Sequence, residues 1–123
     1  MDYKKVSLEL SKLGNKDYAK KAERFFKTGV GEYGHGDTFI GVRSPQIRET
    51  AKTFQGIKLS ENKKLIKSKV HEERLLGLII LTLKYKTSTR AKDEVAQKKI
   101  YENYISLFKY INNWDLVLSL IHI

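Results

Sequence analysis

The chain has 123 residues, which suits one domain with one modest core. It contains no cysteine, which excludes disulfides, thiolate metal sites and cysteine nucleophiles. The formal net charge is +10, and residues 41–86 carry most of it, with 11 basic and 4 acidic side chains. Such an excess fits a polyanion partner, most often nucleic acid, or else a lysine-rich composition kept for solubility.

The N-terminus, MDYKKVSLEL, shows no apolar core of a secretory signal, so a cytoplasmic location is expected. Residues 3–13 place Val6, Leu10 and Leu13 on one helical face, and Gly14-Asn15 stops that helix. Residues 17–27 repeat the pattern with Tyr18, Ala22, Phe25 and Phe26, while Lys20, Lys21, Arg24 and Lys27 cover the other side. Residues 29–43 hold five of the eight glycines. Gly29 to Gly34 spells G-x-G-x-x-G, yet a helix precedes it and more loop follows. The dinucleotide fingerprint requires a strand before it and a helix after it, so the match is rejected. The reading left is a long irregular connection, with Arg43 and backbone amides as a candidate phosphate contact.

Ser44-Pro45 opens a helix, with serine as the N-cap and proline at the first helical position. Ile47, Ala51 and Phe54 form its inner stripe. Arg48 and Lys52 share another face, either toward phosphate or toward solvent. Ser60 caps a short helix with Leu65 and Ile66 inward. Residues 71–86 then form a helix that is apolar all round between Leu75 and Leu83, which predicts burial on every side. That run is too short for the ~20 residues of a membrane span. Glu72 and Glu73 read as helix-start charges, pointing about 100° apart and so not an acid/base pair. Lys86 to Ala91 reads as a polar link. Residues 92–111 form the longest amphipathic helix, with Ile100, Tyr104, Leu107, Phe108 and Ile111 on one stripe. Asn113 caps a last helix from Trp114. About seven helices in antiparallel pairs make an all-α stack. None of His35, His71 and His122 has metal-helix spacing to another ligand. Trp114 reads as core or as a ligand platform, and Asp115 as a first-turn charge.

Four segments in this order resemble the AlkD family of DNA alkylation repair enzymes, glycosylases built from HEAT-like repeats. They are KAERFFK at Lys21–Lys27, YGHGDTFIGVRSP at Tyr33–Pro45, HEERLLGL at His71–Leu78 and NNWDLV at Asn112–Val117. The resemblance implies a single HEAT-like helical domain over residues 1–123, an α-α superhelix corresponding to the N-terminal half of longer family proteins. It implies hydrolysis of the N-glycosidic bond of N3- or N7-alkylpurines in double-stranded DNA, with no metal or organic cofactor. The candidate catalytic positions are Trp114 and Asp115. The family motif W-D-x-V-D ends in the catalytic carboxylate, and here that position is Leu118. Asp115 is rotated about 100° away from Trp114 and does not replace it. The candidate DNA-binding residues are Arg43, Arg48, Lys52 and Lys27. The expectation is therefore a truncated family member, weak or inactive as a glycosylase, with self-association through the C-terminal helices. The alternative is a non-catalytic helical-repeat module that binds nucleic acid or protein through a basic surface.

Overall fold

The computed structural model describes residues 2–26 and 38–106, with side chains of 23–26, 104 and 106 left aside. Six α-helices make up these residues: α1 (Tyr3–Ser11), α2 (Lys16–Phe26), α3 (Ser44–Phe54), α4 (Leu59–Ile66), α5 (His71–Arg90) and α6 (Glu94–Ser106). Among the described residues the sole extended pairing is one parallel bridge, Thr38 to Val70. The fold is all-α, as expected, with helices stacked on helices in the manner of a repeat array.

The middle of the chain is its organising rod. Residues 71–81 of α5 are buried without a break. Helices α3, α4 and α6 all pack against α5, and α1 closes over α3 and α4. One continuous core joins Val6, Leu10, Ile47, Ala51, Leu65, Leu76, Ile80 and Ile100. Four residues link α4 to α5, a connection short enough to make the two helices antiparallel neighbours.

Their closest approach is at Gly77. A Cβ there would lie 2.7 Å from Ile66 Cγ1 and 3.1 Å from the Ile66 backbone nitrogen. The Gly77 carbonyl also accepts a hydrogen bond from buried Asn62 Nδ2 at 3.0 Å. In an open helix, Gly→Ala stabilises by about 1 kcal/mol. Here overpacking costs about 1–3 kcal/mol. Gly77→Ala is therefore expected to lower stability by about 1 kcal/mol in urea unfolding, reversing the usual sign.

Several helix ends differ from their sequence readings. Arg43, not Ser44, is the N-cap of α3, and its backbone N–H donates to Gln46 Oε1 at 3.3 Å. Ser44 and Pro45 are thereby the first two helical residues. Lys58 caps α4, so Ser60 lies inside that helix. The expected polar link after Lys86 is instead helical through Arg90. Thr87 donates to the Leu83 carbonyl, and Thr89 to that of Tyr85, each at 3.0 Å. The hydroxyls are thus satisfied within the helix, and packing against α6, with Ser88 buried, holds this run helical. The chain leaves the helix at Lys92, whose φ is 54°. Leu13, expected on the inner face, is 39% exposed because α1 ends at Ser11.

Candidate nucleic-acid interface

The segment before α3 is held by the start of α5. Thr38 N–H donates to the Lys69 carbonyl at 2.9 Å, and His71 N–H donates to the Thr38 carbonyl at 2.8 Å. Glu72, 2% exposed, then turns its carboxylate onto three successive amides. Its Oε2 accepts from Gly41 at 2.8 Å and Val42 at 3.2 Å, and its Oε1 accepts from Ile40 at 3.1 Å. Gly41 has φ +81° and sits hard against the Asn15 backbone, where a side chain does not fit. Asn15 N–H in turn donates to the Ile40 carbonyl at 3.0 Å. These bonds set the residue that comes next, Arg43, whose guanidinium lies 4.6 Å from the Tyr18 ring centroid.

Glu73 faces the other way, toward α1. It accepts from Tyr3 Oη at 2.7 Å and from Ser7 Oγ at 2.8 Å. Burial and then this carboxylate hold the Tyr3 phenol above its ordinary pKa. The two glutamates do begin a helix, but a helix-end reading misses their main role. Each is a buried acceptor that ties a remote segment to α5, and all five donors lie at least 30 positions away in sequence.

The basic surface is a groove of about 380 Å³ between α3 and α5. From α3 it takes Pro45, Arg48, Glu49 and Lys52, and from α5 it takes Ile79, Leu83 and Lys86. Each set recurs at helical spacing, so one stripe of α3 faces one stripe of α5. The three cations are exposed at the rim while Ile79 and Leu83 form the floor. Lys52 also meets Glu49 at 3.5 Å, an exposed pair that gives up little when another anion approaches.

Of the residues expected at the interface, Arg48 and Lys52 are brought together here. Arg43 stands at the start of the same helix, on Tyr18. Lys27, Trp114, Asp115 and Leu118 lie outside the described residues. Lys86 is a groove residue that the sequence reading misses, because in sequence it reads as the start of a polar link. Its place seven residues after Ile79 on α5 is the available signal. A second cleft, of about 430 Å³, lies beside this segment and is lined by Tyr18, Lys21, Phe39, Ser44, His71 and Glu72, among others. The His71 ring stacks on Phe39 at 4.7 Å. Among the described residues no cluster of three or more His, Asp or Glu could hold a metal ion. None of the described helices is long and apolar enough to cross a membrane.

A stack of α-helices with a cationic groove along two neighbouring helices defines a helical-repeat protein suited to an extended anionic partner. The family model for the DNA alkylation repair enzymes matches residues 6–122, and the chain belongs to that family. Neither a curated protein nor a solved structure matches it.

Proposed function

We propose that this protein binds double-stranded DNA along the α3–α5 groove, as a cytoplasmic member of the alkylation repair family. The observation that carries the reading is the convergence of Arg48, Lys52 and Lys86 on one groove. Their spacing along two facing stripes suits successive phosphates, which supply affinity and register but not sequence reading. Arg43, over Tyr18 at the start of α3 and outside that groove, is a further candidate phosphate contact, where backbone amides also favour anions.

The chemistry that the resemblance implies is cleavage of the N-glycosidic bond of an N3- or N7-alkylpurine. The alkylated base carries a positive charge and leaves with the bonding electrons as a neutral base. Water supplies the hydroxyl at the sugar and loses a proton. A carboxylate near the sugar stabilises the oxocarbenium-like transition state, a contribution of about 3 kcal/mol or more where such electrostatic groups are removed. Leu118 stands at the position the resemblance gives to that carboxylate, so the chain is a weak or inactive glycosylase that keeps its affinity for DNA.

The test measures two things on one preparation. Fluorescence anisotropy with a labelled duplex is expected to show binding that weakens steeply with salt. Release of 7-methylguanine from methylated DNA is expected to stay near background. Robust turnover overturns the inactivity, and salt-independent or absent binding overturns the groove.

A further inference from the structure

A different cleft, of about 470 Å³, opens between the α3–α4 turn and the facing parts of α5 and α6. Leu59, Ala91, Ala96 and Ile100 give it apolar walls, and Lys84 and Lys99 stand in it. Along α5 and its C-cap the lining residues Lys84, Ser88 and Ala91 form a stripe distinct from that of Ile79, Leu83 and Lys86. The cleft is therefore separate from the basic groove.

Lys84 is half buried, and burial pushes its pKa below that of an ordinary lysine. Among the described residues neither Lys84 nor Lys99 makes an ion pair. The acid in the lining, Asp93, accepts from the Ala96 N–H at 3.1 Å at the start of α6. Lys84 is partly withdrawn from water without an ion pair, and with Asp93 in the lining the cleft keeps a net single positive charge that an entering anion offsets. Apolar walls around it favour an anion that also carries an apolar body.

We propose that this cleft binds a small amphipathic monoanion, with its carboxylate or phosphate head against Lys84 and Lys99 and its apolar body against Leu59 and Ile100. Gly56 lies at the rim, and a Cβ built there meets nothing within 4 Å. Gly56→Leu therefore adds a bulky side chain at the mouth of the cleft without displacing backbone. Lys84→Met keeps the length of the side chain and removes its charge.

Octanoate serves as the probe, titrated into the ¹⁵N-labelled full chain and followed by amide shifts. Saturable shifts are expected at Gly56, Ala91 and Ala96. Lys84→Met is expected to weaken binding about tenfold or more, the loss of one charge-assisted contact. Gly56→Leu is expected to abolish it, and octan-1-ol to bind more weakly than octanoate. Thermal melts confirm that both variants are folded, and Lys84→Met decides the outcome. The proposal is overturned if shifts gather around Arg48, Lys52 and Lys86, if folded Lys84→Met binds as well as the parent, or if no saturable binding occurs.

Discussion

Glu72→Ala is expected to lower stability by about 3 kcal/mol, with a melting temperature roughly 10 °C lower. The carboxylate accepts from Ile40, Gly41 and Val42, and it is buried. Each buried N–H left without an acceptor costs about 1–3 kcal/mol. Two effects keep the total below the sum of three full penalties. Removing the carboxylate ends its own desolvation cost, and water can enter from the neighbouring cleft. Glu72→Gln retains one acceptor oxygen and is expected to lose about half as much, since its amide group also opposes a donor. Urea midpoints for the two variants read this order directly. A loss below about 0.5 kcal/mol for Glu72→Ala, the range of an ordinary surface change, contradicts the clamp. The same clamp holds the residue preceding Arg43, so the loss also loosens the entry to α3.

The second large effect concerns binding. The combined substitution Arg48→Gln, Lys52→Gln and Lys86→Gln is expected to weaken duplex binding by about 10² or more near 0.1 M salt. It is also expected to flatten the slope of log K against log salt by roughly 2.7, from ~0.9 for each phosphate no longer neutralised. All three side chains are exposed, so the melting temperature is expected to change little. That separates weaker phosphate binding from unfolding. Substituting three lysines away from the groove, Lys4, Lys5 and Lys12 at α1, gives the comparison for bulk charge. Equal losses from the two sets overturn the groove as the binding surface.

These residues show why some features are legible in the sequence and others are not. The burial of α5 follows from its composition: Leu75 to Leu83 leaves no polar stripe to face water, and 71–81 are buried throughout. The inner stripes of α1 and α3 follow from helical periodicity, and Val6, Leu10, Ile47 and Ala51 are all in the core. Arg48 and Lys52 share a face because four residues nearly complete a turn. The polar end of α5 is harder to read. Threonine and serine cap and terminate helices as readily as they continue them, and here packing of the end of α5 against α6 decides for the helix.

Composition and local period thus determined the all-α class, the buried central helix and the basic character of the middle of the chain. The family resemblance carried by its motifs agrees with the match over residues 6–122. Only tertiary structure decided that Lys86 completes a groove with Arg48 and Lys52. Only it revealed that Glu72 and Glu73 are buried acceptors for groups from distant segments. The physical reason is range. Helix formation and burial are set by neighbours within a few turns, whereas a carboxylate's partners and a groove's opposite wall are set by which helices come to lie side by side.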